Sequence, residues 1–206
     1  MHIRLRRRGD SVDQVRLVQA FNTCFKVSEN TVLEGGAEEP WYLPAHANPD
    51  APIAVLRYRA DYAASALHEV AHWCLVNKTQ RQLPDFGFEY LPPPRTRQEQ
   101  IAFFKAELRA QSLERVFSQS AGLAFRVSTD DFDPEHEELT AEFEQRVTGY
   151  EQTTLQWMTE LAGARAWQFN QSILLIDANS ADAKAKTTTV AKQSSVVAGS
   201  AETPFG

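Results

Sequence analysis

The sequence is poor in cysteine and has no long apolar run. Only two cysteines, Cys24 and Cys74, occur in 206 residues, which excludes a disulfide framework and favours a reduced, cytoplasmic setting. No stretch approaches the ~20 apolar residues that a membrane span needs. The basic segment from Arg4 to Arg8 is not followed by apolar residues, so it predicts neither a secretory signal nor a membrane anchor. We therefore expect a cytoplasmic protein with no membrane partner.

An excess of positive charge and the common cofactor motifs are also missing. The net charge of −6 and the pI near 5.4 argue against a direct nucleic-acid partner held by overall positive charge. The chain has no G-x-G-x-x-G motif and its two cysteines lie far apart, so no flavin, haem or nicotinamide cofactor is expected. The HxD…H pattern of 2-oxoglutarate enzymes is not evident either. The source of electrons for any redox chemistry therefore stays open.

The apolar content predicts a single compact α+β domain in which a small sheet packs with helices. A chain of 206 residues with 43% apolar content can build one core of ordinary size. We expect a flexible leader over residues 1–12 and a folded domain over residues 13–176. The composition then changes to Ala, Ser, Thr and Lys, which predicts a disordered tail over residues 177–206.

Local signals place the elements of this domain. Helical spacing of apolar residues predicts a first helix over Val15–Phe25, and Thr96 with Glu99 forms a capping box that predicts a long helix to about Ser120. The other predicted features are short strands or extended segments at Thr31–Leu33, Trp41–Leu43 and Pro52–Tyr58, a turn at Glu34–Ala37, a helix capped by Asp61 and ending at Asn77, a helix from Asp133-Pro134, and a helix from about Thr153 to Leu175.

The helix after the third extended segment carries an HExxH motif. His68 and His72 stand four residues apart, with Glu69 directly after the first. A helix advances about 100° per residue, so the two imidazoles lie about 40° apart on one face, where both can bind one metal ion. Apolar residues surround this helix almost completely, which predicts that it is buried and that its histidines face an interior cleft. Cys74 lies about 160° from His72 and is predicted to be a buried core thiol.

The long predicted helix after Thr96 offers a third ligand. Its apolar residues form two arcs, and a narrow polar sector lies between them. The sector is either a solvated strip or, because it is flanked by aromatic residues and lacks Lys and Arg, the place for a carboxylate ligand. Glu107 is its central candidate, and Gln111 one turn later is a candidate supporting partner. The sector consists of Gln100, Glu107, Gln111, Glu114 and Ser118.

Other carboxylates compete with Glu107. Asp85 and Glu89 follow the HExxH helix closely enough to reach a metal, and are otherwise solvated turn residues; Asp85 is also a candidate supporting residue. Glu69 lies about 60° from His72 and would ligate poorly beside both histidines. It could instead act catalytically, on water at the metal, or hold a ligand in place.

Short motifs along the chain resemble a known family. They are Phe21-Asn-Thr-Cys-Phe25, Glu39-Pro-Trp-Tyr-Leu-Pro-Ala45, Ala64-Ser-Ala-Leu-His-Glu-Val-Ala-His-Trp-Cys74, Leu83-Pro-Asp-Phe-Gly-Phe88 with Tyr90, and Glu107 followed by Gln111-Ser-Leu-Glu114. Occurring in this order over about Val15 to Val147, they resemble the bacterial elongation factor P hydroxylases. The basic leader before Ser11 and the tail have no counterpart in that resemblance.

The resemblance implies an α+β metalloprotein that hydroxylates the β-lysylated lysine of translation elongation factor P, its protein partner. Carried over by position, the family's metal ligands fall on His68, His72 and Glu107. Two imidazoles and one carboxylate form a set typical of Fe(II) monooxygenases, which leave positions open for dioxygen. Fe(II) is the expected metal, and Zn or Mn could take its place in a crystal.

Two other functions fit the HExxH motif. In a zinc-dependent hydrolase, a peptidase or a nuclease, Glu69 would be the general base that activates water. In a binding protein without catalysis, the metal would only hold the fold, but such structural zinc sites normally have four protein ligands and no fourth is apparent. Four cations near the motif could contact an acidic protein partner or be solvated charges: Arg81, Arg95, Arg97 and Lys105.

Overall fold

The computed structural model describes residues 13–60, 62–89, 91–131 and 133–176. The predicted leader over residues 1–12, the predicted tail over residues 177–206, the predicted cap Asp61 and the motif residue Tyr90 lie outside these ranges. The described residues form an α+β fold, as predicted, in which helices pack with a three-stranded sheet.

The sheet has the strand order β1-β3-β2 and consists of β1 (Thr31–Ala37), β2 (Trp41–Leu43) and β3 (Ala54–Arg59). Strand β1 is parallel to β3, and β2 is antiparallel to it. The turn predicted at Glu34–Ala37 is wrong, because this segment continues β1 through a register irregularity between Glu34 and Ala37. The glycines make this continuation feasible. Gly36 has a φ of +89°, and a Cβ at Gly35 would lie 2.7 Å from the Tyr58 hydroxyl.

The described residues contain six α-helices. They are α1 (Gln14–Phe25), α2 (Ala63–Leu75), α3 (Arg97–Ala121), α4 (Glu137–Gly149), α5 (Glu151–Met158) and α6 (residues 164–176). Of these, α1 and α2 contact the sheet. The Asp13 side chain caps α1, and a 3₁₀ turn at Pro134–His136 leads into α4 near the predicted start. The single helix predicted from Thr153 to Leu175 is wrong. A 3₁₀ turn at Leu161–Gly163 separates α5 from α6, so the segment forms two helices.

Helix α2 lies in the main core. Leu67, Val70, Ala71 and Trp73 are fully buried, and Cys74 is 1% exposed, as predicted for a core thiol. Burial raises the pKa of the Cys74 thiol to about 12, which keeps it protonated. From α6, Arg165 donates hydrogen bonds to the Cys74 and Val76 carbonyls at the end of α2. Among the described residues, no helix combines the length and the hydropathy that crossing a membrane requires.

Helix α3 starts at the predicted capping box. The Thr96 side chain accepts from the Glu99 backbone N–H, and the Glu99 carboxylate accepts from that of Thr96. Helix α3 has two apolar faces. One packs in the main core with α2, and the other packs against α4. The stacked pair Phe104 and Phe143, with ring centroids 4.2 Å apart, lies at the centre of the second contact. The polar sector therefore lies between two packed faces.

Candidate metal centre

Two histidines of α2 point to one place beside α3. Because His68 and His72 are one turn apart, their Nε2 atoms approach to 3.1 Å and their ring centroids to 4.7 Å. The side chains are 27% and 19% exposed, so the cleft around them is open to solvent on one side. Two imidazole nitrogens at this separation can share one metal ion.

Glu107 of α3 completes a set of three ligand atoms. Its Oε1 lies 3.2 Å from His72 Nε2, and its Oε2 lies 3.6 Å from His68 Nε2. Ligands bound at about 2.1 Å stand roughly 3.0 to 3.4 Å apart for octahedral to tetrahedral angles, so the observed triangle has the right size for a metal. The donor set, two nitrogens and one carboxylate on one side of the centre, suits Fe(II), Zn or Mn.

Glu114 contacts His68 on the side of the ring that faces away from the candidate metal position. The sequence interpretation assigned no role to this member of the polar sector. Glu114 Oε2 lies 2.9 Å from His68 Nδ1, and the residue is 8% exposed. An ionised carboxylate can only accept, so Nδ1 carries a proton and Nε2 is the ring nitrogen left for a metal. The signal in the sequence was the spacing. Glu114 follows Glu107 by seven residues, two turns of helix, and therefore lies on the same face of α3.

Gln111, the predicted supporting partner, lies between these two carboxylates. Its Nε2 donates to Glu107 Oε2 at 3.2 Å and to the Ser128 carbonyl at 2.7 Å. Its Oε1 accepts from the Ser128 backbone N–H at 3.0 Å. With both ends of the amide engaged by Ser128, the donor side is fixed toward Glu107, and Glu107 Oε1 remains for a metal.

The polar sector is not the solvated strip that was one interpretation of it. Its members are all buried, with exposures between 0 and 9%: Gln100, Glu107, Gln111, Glu114 and Ser118. Buried polar side chains are stable only when hydrogen-bonded. Glu107 and Glu114 meet this condition through the histidines of α2, and Gln100 and Gln111 meet it through the loop at residues 128–130. Gln100, for example, donates to the Thr129 carbonyl.

Acidic side chains outnumber the histidines at the candidate site. Burial opposes ionisation of Glu107, but the hydrogen bond from His72 and the charges of both imidazoles lower its pKa to about 2. Burial also opposes protonation of the His68 imidazole. The hydrogen bond to Glu114 and the charge of Glu114 nevertheless raise the pKa of His68 to about 10. Burial raises the pKa of Glu69 against the lowering effect of the two histidines. Three carboxylates around two imidazoles favour a cation at the centre.

The other predicted carboxylates take different positions. Glu69 interacts electrostatically with the histidines, and its carboxylate forms no hydrogen bond or ion pair among the described residues. Asp85 is exposed, and its Oδ1 accepts from the Tyr42 backbone N–H at 2.8 Å. Glu89 is exposed. Among the described residues, the carboxylate that meets both histidines within metal-ligand range is that of Glu107.

Arg95 is not one of the exposed cations expected near the motif. It is 5% exposed, and its guanidinium donates to the Leu91 carbonyl and to the backbone and carboxylate of Asp130. It also lies 4.0 Å from the Phe103 ring centroid. Arg95 therefore fastens the start of α3 to the loop whose Ser128 orients Gln111. Arg81 is paired as well, with Glu29 at 2.6 Å.

Comparisons with known proteins identify the family of this chain. A family model described as Elongation factor P hydroxylase matches residues 20–193, a range that contains the whole site and extends beyond the motifs recognised in the sequence. A protein of Haemophilus influenzae named Elongation factor P lysine hydroxylase is 39% identical over 114 residues. That alignment spans 55% of this chain and 63% of the relative. With most of its length matched by the family model, the chain belongs to the elongation factor P hydroxylase family.

Proposed function

We propose that this protein hydroxylates a lysine side chain of elongation factor P, using a metal held by His68, His72 and Glu107. The observation that carries the proposal is the convergence of these three ligand atoms on one centre, within 4.8 Å of one another, in a chain of this family. The relative's name, Elongation factor P lysine hydroxylase, supports both the partner and the residue type.

The proposed reaction is a monooxygenation of the β-lysylated form of that lysine. One oxygen atom of O₂ enters a C–H bond and the other leaves as water, which consumes two electrons and two protons from an external reductant. Fe(II) bound at such a set supplies one-electron chemistry and positions open to dioxygen. The proposed compartment is the cytoplasm, where free thiols such as Cys24 and Cys74 stay reduced.

The residues around the centre have separate tasks in this proposal. Glu114 orients His68, and Gln111 orients Glu107, so the three ligands occupy one face and leave the opposite side open to substrate. Glu69 forms no hydrogen bond among the described residues and remains available to a ligand or a water molecule in the cleft. In an oxygenase this carboxylate assists, whereas in a zinc hydrolase it would be the base on which turnover depends.

The direct test is the mass of the product. The purified, iron-loaded protein is incubated in air, with a reductant, together with β-lysylated elongation factor P. We expect the modified lysine to gain one oxygen atom, and unmodified elongation factor P serves as the control. An unchanged mass, with the iron shown to be reduced throughout, would contradict the proposal.

Two substitutions test the site: Glu107→Ala tests the third metal ligand, and Glu69→Gln separates the hydroxylase from the hydrolase. Glu107→Ala should abolish both metal retention and hydroxylation in a folded protein, whereas Glu142→Ala, which removes an exposed carboxylate from α4, should change neither. Glu69→Gln should leave measurable hydroxylation. If Glu69→Gln is inactive while a zinc-loaded wild type cleaves peptides, the hydrolase is the better assignment. If Glu107→Ala keeps its metal and Asp85→Ala loses it, the third ligand is wrong.

A further inference from the structure

An exposed aromatic side chain lies directly against the candidate metal centre. The Phe88 ring centroid is 6.3 Å from that of His72, with the two planes at 63°. Phe88 is 53% exposed, although a benzyl side chain of this size is normally buried. The fold thus holds an apolar surface open to solvent beside a metal-binding histidine.

The turn that carries Phe88 has an unusual backbone. Asp85 and Phe86 both adopt left-handed conformations, with φ values of +47° and +61°, and Gly87 follows at +72°. Left-handed conformations are unfavourable for residues with a Cβ, and they persist where the surrounding structure holds them. Such strain is concentrated in functional regions of proteins.

Contacts from strand β2 and from the turn itself hold this backbone. Asp85 Oδ1 accepts from the Tyr42 N–H, and the Asp85 carbonyl accepts from the Phe88 N–H at 3.0 Å. Phe86 is buried and stacks on Tyr42, with ring centroids 4.4 Å apart, and its own ring lies 6.2 Å from Phe88. Phe88 is therefore fixed in place by a buried aromatic platform while its own ring stays exposed.

We infer that Phe88 forms one side of the substrate site, where it contacts the methylene chain of the substrate's lysine and an ammonium group of the β-lysyl group attached to that lysine. The inference rests on the proposed function, because the substrate is a lysine side chain that must reach the metal beside His72. In the β-lysylated substrate the apolar stem of the lysine ends in a neutral amide, and the positive charge lies on the amino groups of the β-lysyl group. A phenyl ring suits both parts, since methylenes pack against it and an ammonium binds over its face.

The test measures binding separately from turnover. Protein loaded with redox-inactive Zn(II) is titrated with β-lysylated elongation factor P by calorimetry, comparing wild type, Phe88→Ala and Phe88→Leu. Loss of one ring contact with a lysine corresponds to roughly a tenfold loss of affinity, which we expect for Phe88→Ala. Phe88→Leu keeps apolar contact without the ring face and should recover part of that loss. Zn(II) affinity and thermal midpoint should stay at wild-type values, because the side chain is exposed.

Leu161→Ala is the matched control, because Leu161 is 93% exposed on the turn between α5 and α6. It should bind like wild type. Equal affinity of Phe88→Ala and wild type would overturn the inference and leave the proposed function intact. Tight binding that depends on Phe88, with no hydroxylation by the iron form, would overturn the proposed function alone. An absence of binding by wild type would overturn both.

Discussion

A histidine that binds metal through one ring nitrogen can be held by the other, and Glu114 does this for His68. The 2.9 Å contact at Nδ1 fixes both the tautomer and the direction of the ring. Without it, Nε2 could carry the proton, and binding a metal would first require that proton to move. In the proposed site Glu114 would thus act on the metal through His68 and would touch neither metal nor substrate.

Glu114→Gln should therefore weaken metal binding while leaving the fold intact. An amide still fits the space but cannot match a carboxylate as an acceptor for Nδ1–H. We expect an affinity loss of about 10- to 100-fold, as is common for residues that support metal ligands. Competition with a chromophoric chelator measures it. Glu144→Gln, at an exposed carboxylate of α4, should bind metal like wild type, and an equal affinity of Glu114→Gln would show that His68 needs no such support.

At the scale of residues, the sequence predicted the two histidines, Glu107 and Gln111, which the structure brings together. Their spacing on helices carried that information. Glu114 was visible as a member of the polar sector, but its role depends on how α2 docks against α3, and helix periodicity does not contain that. Asp85 was considered as a supporting residue because it is near in sequence, whereas the structure directs its carboxylate to the backbone of β2.

Helix α3 shows how much of one element can be read from its pattern. The capping box predicted its start, and two apolar arcs predicted its two packed faces. The sequence alone left open whether the polar sector between the two faces is exposed to solvent or buried. Its burial depends on the loop at residues 128–130 and on α2. The turn predicted at Glu34–Ala37 failed for a related reason. Two adjacent glycines favour a turn locally, but pairing with β3 keeps them in the strand.

The break between α5 and α6 depends on Gly163. A Cβ at this position would lie 2.2 Å from the Trp157 carbonyl and 2.6 Å from the Met158 Cα, both backbone atoms at the end of α5. Periodicity alone predicted one continuous helix here, because a close approach between backbones leaves no trace in the spacing of apolar residues.

Gly163→Ala should therefore destabilise the protein markedly. Backbone atoms cannot move aside as a flexible side chain can, so we expect a loss of about 2 to 4 kcal/mol in the free energy of unfolding. Gly149→Ala is the matched control, since nothing lies within 4 Å of its added Cβ, and it should be neutral or slightly stabilising. Urea denaturation followed by circular dichroism measures both. Equal midpoints for the two variants would contradict the close approach.

At the scale of the whole molecule, the candidate site joins two parts of the structure. His68 and His72 belong to a helix of the main core, whereas Glu107 lies on α3 between that core and the cluster that α3 forms with α4. Gln111 and Arg95 extend the connection to the loop at residues 128–130. A metal ion would therefore add a further link between elements that already meet through packing and through hydrogen bonds such as that between His68 and Glu114.

Metal binding should raise the stability of the entire protein. A ligand present at 100 times its dissociation constant stabilises the native state by about 2.7 kcal/mol, which corresponds to roughly 5 to 10 °C in the thermal midpoint for a chain of this size. Differential scanning calorimetry, after chelation and again after Zn(II) is added back, checks this shift. In Glu107→Ala the midpoint should not respond to the metal, and a shift as large as that of wild type would exclude Glu107 as a ligand.

The separation of the ligands between α2 and α3 also has a consequence for folding kinetics. The HExxH pair is local and can form as soon as α2 is helical, but Glu107 comes from a distant part of the sequence. In the proposed site, full metal affinity would therefore appear only when the two helices dock, a step whose rate depends on long-range chain closure. In a stopped-flow refolding experiment, the rate of metal binding would report the docking of α2 and α3. The circular dichroism signal of helix formation would come earlier.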